Sequence, residues 1–202
     1  SLGLYKPAAV ILEHPMVDPP AGYYKRLREL CDHYGALLII DEVVTGFRWA
    51  LGGACEVYGI QPDLCCYGKA LANGMPLSAV VGRRDIFQWG FDRLDPVFIS
   101  ATSFGDAVSL AAADAVLSIW NQDGVDHLWS IGQALMDGLR AAGYDVIGHP
   151  PRSLLQFATS WERAYFIREM ARFHKAWSDQ GKVSPPHLSV RDAVASWTVD
   201  TF

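Results

Sequence analysis

The sequence predicts an α/β fold: a mostly parallel sheet covered by helices, followed by a smaller α+β portion. Three observations lead there. Residues 8–12 and 36–40 are short apolar runs, with a segment of helical period between them at 22–34. Strand, helix, strand in that order is a parallel crossover unit. The second apolar run closes on the carboxylates of Asp41 and Glu42, as expected of a buried parallel strand whose carboxyl end faces a cleft. Further apolar runs at 63–67 and 77–81 continue the sheet, separated by the turn residues Asn73, Gly74 and Pro76.

Taken in order, residues 8–12 form the first strand, and Asp18-Pro19-Pro20 breaks it. The following helix places Leu27, Leu30, Cys31 and Tyr34 on one face, and Gly35 terminates it. A short helix is expected at 84–89 and one more strand at 97–100. Asp106 then caps a helix whose apolar face is Val108, Ala112, Ala115, Val116 and Ile119. Residues 121–124 mark a boundary, dividing the chain into 1–120 and 121–202. Beyond it, Leu128, Ile131, Leu135 and Leu139 define an amphipathic helix ending near Gly143. A weakly alternating strand is expected at 154–159. A last helix at 161–179 turns Phe166, Met170, Phe173 and Trp177 inward, and the tail from Ser184 has no strong period.

Composition narrows the function classes. The chain has 202 residues, half of them hydrophobic and 19% charged, with a net charge of −5. That is a globular composition. The acidic balance and the lack of a basic tract argue against nucleic acid as a partner. No apolar run approaches the roughly 20 residues that cross a bilayer, so no membrane partner is expected. The first residues lack a charged segment leading into an apolar one, which points to the cytoplasm. Cys31, Cys55, Cys65 and Cys66 show no C-x-x-C spacing, and no histidine cluster sits beside them. They read as small buried hydrophobes, and no metal site is expected. The six histidines are scattered and read as surface or packing residues rather than general bases.

Two residues carry the chemistry. Asp41 is a carboxylate at a strand end, which is costly to bury without a cation. A protonated pyridine nitrogen is one such cation. At an effective dielectric near 20 the attraction is about 4 kcal/mol, roughly three pKa units. That keeps a pyridinium protonated at neutral pH and makes it an electron sink for amine chemistry. A purely structural strand end is the other reading. A nucleotide triphosphatase would need G-x-x-x-x-G-K-[ST], which does not occur. Lys69 follows Asp41 by 28 positions and is flanked by Gly68 and Ala70. Glycine admits close backbone approach, and a lysine in an apolar pocket forms Schiff bases with aldehydes. A solvated surface lysine is the alternative. Thr102, just before the helix capped by Asp106, suits a phosphate or an ordinary turn.

The segments YGALLIIDEVVTGFR, PDLCCYGKALANGMPLSAVVG and TSFGDAVSLAAADAVL together resemble the class III aminotransferases, pyridoxal phosphate enzymes of fold type I. The glutamate-1-semialdehyde aminomutase branch is the most similar. The resemblance covers about residues 8–145. It implies a partial large domain of that fold over 1–120 and a small C-terminal domain over 121–202. It implies that Asp41 pairs with the pyridine nitrogen of pyridoxal 5'-phosphate, that Val43 packs on the ring, and that Lys69 forms the aldimine and shuttles the substrate proton. Thr102 corresponds to a threonine that binds the phosphate of the neighbouring subunit, which implies a homodimer. The family's upstream phosphate cup and stacking aromatic have no counterpart here, which implies the C-terminal portion of such an enzyme, or a half completed by an N-terminal polypeptide. The expected substrates are an amine or amino acid and a keto or aldehyde acceptor. A racemase or decarboxylase of the same fold, and a non-catalytic half-subunit, remain alternatives.

Overall fold

The computed structural model describes residues 5–100 and 104–179, with side chains to residue 172. β1 (Ala9–Glu13), β2 (Leu37–Asp41), β3 (Leu64–Tyr67) and β4 (Ala79–Gly82) make one sheet in that order. The first three run parallel, and β4 returns antiparallel against β3. α1 (Tyr23–Tyr34) is the β1–β2 crossover. Gly35 ends it in the left-handed region, with φ 67°, and its N–H reaches the Cys31 and Asp32 carbonyls. Glycine takes that conformation without a Cβ penalty.

Alternation along β2 separates the two faces of the sheet. Leu38 and Ile40 are fully buried against Tyr24 and Cys31 of α1, with Ile60 and Cys65. Each such aliphatic side chain contributes about 1.5–3 kcal/mol. The inward stripe of α1 therefore begins at Tyr24 and ends at Cys31, while Tyr34 is exposed. The opposite sheet face carries Ile11, Ile39, Asp41, Cys66 and Val80 by register. Ile11 and Val80 there are more than half exposed.

Asp63, just before β3, fastens the sheet to α1. Its carboxylate accepts from the Leu38 N–H at 2.7 Å and from the Arg28 and Arg83 guanidiniums at 2.8 Å each. Burial pushes its pKa up. The Leu38 N–H and the two arginines outweigh that and hold it below the ordinary carboxylate value.

Two short helices, α2 (Ala54–Tyr58) and α3 (Arg84–Phe91), and two longer ones, α4 (Ala107–Ile119) and α5 (Gln122–Ala141), complete this part. Asp106 caps α4, accepting from the Ser109 N–H at 2.8 Å and its hydroxyl at 2.7 Å. The buried face of α4 is Ser109 and Ala113, whereas Val108 and Ile119 of the expected face are exposed. α4 is apolar nearly all round, so period alone leaves its phase undetermined. α5 likewise buries Val125, Gly132 and Met136, while Ile131 and Leu135 are half exposed. Residues 97–100 form no strand. Phe98 is 90% exposed, and apolar β-formers without a neighbouring ladder do not make sheet.

β5 (Asp145–His149) and β6 (Arg152–Gln156) pair in a separate two-stranded sheet. The described residues up to Leu154 form one compact unit and those from Leu155 another. In the second, α6 (Ser160–Asp179) begins with a capping box. The Thr159 hydroxyl accepts from the Glu162 N–H, and the Glu162 carboxylate accepts from the Thr159 N–H. Phe166 packs at a tilt against Phe157, with 5.4 Å between centroids, whereas Met170 of the expected inward face is exposed. The side chains of Phe173 and Trp177, and the tail, lie outside the described residues. No described helix is long and apolar enough to cross a membrane.

Candidate active site

The carboxyl ends of the two inner strands, β2 and β3, bring Asp41, Val43 and Lys69 to one end of the sheet. Asp41 is the last residue of β2 and pairs in register with Cys66 of β3. Lys69 lies three residues past Cys66, opening a 3-10 turn (Lys69–Leu71). Its φ is +40°. A non-glycine residue in that region costs about 1–3 kcal/mol, and such strain clusters at functional sites. The 3-10 turn is braced from behind by Leu71 and Ala72, which pack with Ala113 of α4.

Val43 stands beside this turn. A Cβ built on Gly68 would lie 3.5 Å from Val43 Cγ1. The segment after β2 thus touches the residue preceding Lys69, though 25 positions separate Val43 from Gly68. The Asp41 carboxylate turns back on the chain and accepts from the Val43 N–H at 2.9 Å. That leaves acceptor capacity on both oxygens for a cation or donor. Burial, then the Asp41 charge, pushes the neighbouring Cys66 thiol up. Thr102, the fourth sequence-derived residue, lies outside the described residues.

The two carboxylates of the Asp41-Glu42 pair have opposite fates. Glu42 is 1% exposed. It accepts from the Ala54 N–H at 2.9 Å, the Cys55 N–H at 2.7 Å and the Thr45 hydroxyl. Two of these donors are the otherwise unsatisfied amides at the start of α2. Gly53 makes room for it: a Cβ there would fall 2.1 Å from Glu42 Oε2. Glu42 therefore shapes the loop that holds Val43. Alternation at a strand end is the signal that distinguishes it from Asp41, since consecutive residues point to opposite faces. The rest of that loop is held from a distance. The indoles of Trp120 and Trp129 donate to the Phe47 and Trp49 carbonyls at 2.7 and 3.0 Å, and Arg48 donates to the Pro151 carbonyl at 2.8 Å.

A half-buried carboxylate at a strand end, a small apolar wall and a lysine on the neighbouring strand's exit fit the chemistry of a pyridine aldehyde. One end needs an anion and the other an amine.

Comparison with known proteins bears on this arrangement. Residues 8–152 match the family model described as Aminotransferase class-III. The chain is 34% identical over 204 aligned positions to a glutamate-1-semialdehyde 2,1-aminomutase of Anaeromyxobacter dehalogenans, covering 89% of this chain and 45% of the relative. It is 43% identical to the enzyme of that name from Syntrophobacter fumaroxidans, over 67% of this chain and 32% of the relative. Among solved structures, an omega-transaminase from Sphaerobacter thermophilus superposes with a TM-score of 0.70 at 26% identity, covering 85% of this chain and 45% of that one. A transaminase with pyridoxal phosphate bound gives 0.65 at 26% identity, over 75% and 38%. The chain spans less than half the length of each of these proteins.

Proposed function

We propose that this chain, which belongs to the class III aminotransferase family, carries the pyridoxal-phosphate-binding half of an amino-group-transferring enzyme, an aminotransferase or aminomutase. The observation that supports this best is the shared strand end: Asp41 ends β2, and Lys69 follows β3, its register neighbour. Pyridoxal phosphate supplies an electron sink when bound. The Asp41 carboxylate would keep the pyridine nitrogen protonated, and Val43 would pack on the ring. Lys69 would supply the amine that holds the cofactor's aldehyde and the base that moves the substrate proton. Thr102 contributes a phosphate contact to a second subunit. The residues up to about 120 act as the cofactor-binding portion, and those after it as the small domain.

The half-exposed face bearing Ile11 and Val80 supports completion of the site by another polypeptide, either an upstream portion of the same enzyme or a second copy. Parallel sheets are ordinarily covered on both faces. The test is amine exchange. The chain is reconstituted with a complementing upstream polypeptide of the family and pyridoxal phosphate, and isotope is followed from a labelled amine into a keto acceptor. Transfer supports the reading. Racemisation or decarboxylation without transfer replaces it with those reactions, and turnover unchanged by Lys69→Ala makes this chain a non-catalytic half.

A further inference from the structure

We propose that His14, Asp18 and His149 form a site for one divalent metal ion of the zinc class, joining the segment after β1 to the end of β5. One ligand atom from each of the three lies within 4.8 Å of the other two. His149 Nε2 is 2.9 Å from Asp18 Oδ1, and His14 Nε2 is 3.7 Å from the same oxygen. The second distance is too long for a hydrogen bond.

His14 is the independent observation. It is 2% exposed, and its Nε2 is buried with no hydrogen-bond partner. A buried polar atom left in that state costs about 1–3 kcal/mol. Its Nδ1 is engaged by the Tyr24 hydroxyl. A ring that donates from Nδ1 to an oxygen presents an Nε2 lone pair, the arrangement usual for metal-ligating histidines. In the tautomer whose Nδ1–H donates to the Tyr24 oxygen, that lone pair faces the Asp18 carboxylate oxygen at 3.7 Å, a pairing that a cation between the two makes favourable.

The surroundings resemble those of built sites. The Tyr58 hydroxyl donates to Asp18 Oδ1 and orients it. Tyr58 and Trp49 pack on the His14 ring at 4.4 and 4.6 Å between centroids, and Trp49 also meets His149 at 4.4 Å. Arg152, whose charge reaches His14, is paired with Glu13 at 2.6 Å. Two imidazoles and one carboxylate suit zinc, with water in the fourth position. Asp18 is exposed, so it is able to close on an ion. His14 and His149 are 135 positions apart, which is why the sequence points to no metal. All three residues lie within the first compact unit, and the site is independent of the cofactor reading.

The test strips the purified full chain with a chelator, then titrates Zn2+ by calorimetry and Co2+ by visible absorption. We expect one equivalent, Co2+ bands of a four-coordinate ion, and a thermal midpoint that rises with Zn2+. Asp18→Asn and His149→Ala should each weaken binding about tenfold or more and abolish the midpoint rise. Wild-type affinity in both variants would place the ion elsewhere and overturn the site. A midpoint indifferent to Zn2+ in the wild type would leave a water-bridged polar cluster and overturn it equally. Asp18→Asn, on an exposed side chain, keeps the test readable if His149→Ala fails to fold.

Discussion

Asp41 and Cys66 face each other across the β2–β3 ladder, and the chain reaches Lys69 three residues beyond that pair. Two groups 28 positions apart in sequence thereby come to the same end of neighbouring parallel strands. Open α/β sheets bind ligands at that end.

If Asp41 holds a pyridinium, removing its charge costs most of an interaction worth about 4 kcal/mol. Asp41→Asn keeps an acceptor for the Val43 N–H, so the local fold survives. We expect kcat/KM of the reconstituted enzyme to fall by about three powers of ten, with unchanged circular dichroism. A loss under tenfold would place the cofactor elsewhere.

Glu42 is predicted to matter for folding. Glu42→Ala strands the Ala54 and Cys55 amides and removes a buried carboxylate with its donors. The expected loss is about 3 kcal/mol, read as a shifted denaturant midpoint. Glu42→Gln retains an acceptor and should lose less. Equal stability in all three proteins would refute the anchoring role.

Asp63 gives a pH dependence with a definite sign. Its folded-state pKa lies below the ordinary carboxylate value. Its contribution is therefore fully present above about pH 4, near the unfolded value, and is lost as pH falls through the folded one. Urea midpoints from pH 6 downward should fall less steeply in Asp63→Asn than in the wild type, from a lower start. Parallel curves would contradict the clamp.

Gly132 sits in α5 against the chain at Pro150, where an added Cβ would meet the Pro150 carbonyl oxygen at 2.2 Å. Gly132→Ala gains about 1 kcal/mol of helix propensity but forces backbone to shift, at about 1–3 kcal/mol. A lower melting temperature is expected. A higher one would mean the helix and the 150 region part freely.

Much of this was legible in the sequence. Short apolar runs closed by Asp41, Tyr67 and Gly35's helix end marked the sheet and its crossover, because parallel strands are buried on long stretches and glycine ends helices for a local reason. The adjacency of Lys69 to β3 followed from the same runs. What failed was phase. α4 has too few polar residues to orient it, and Val97–Ile99 have the composition of a strand with no ladder to join. The split roles of Asp41 and Glu42, and the meeting of His14 with His149, depend on face and on long-range packing, which spacing alone does not carry.

The most direct measurement is covalent. The reconstituted chain is loaded with pyridoxal phosphate, reduced with borohydride, digested and mapped by mass spectrometry. The account predicts one phosphopyridoxyl adduct, on Lys69, absent from Lys69→Ala. An adduct on Lys6, Lys25 or another amine, with Lys69 unmodified, would contradict it.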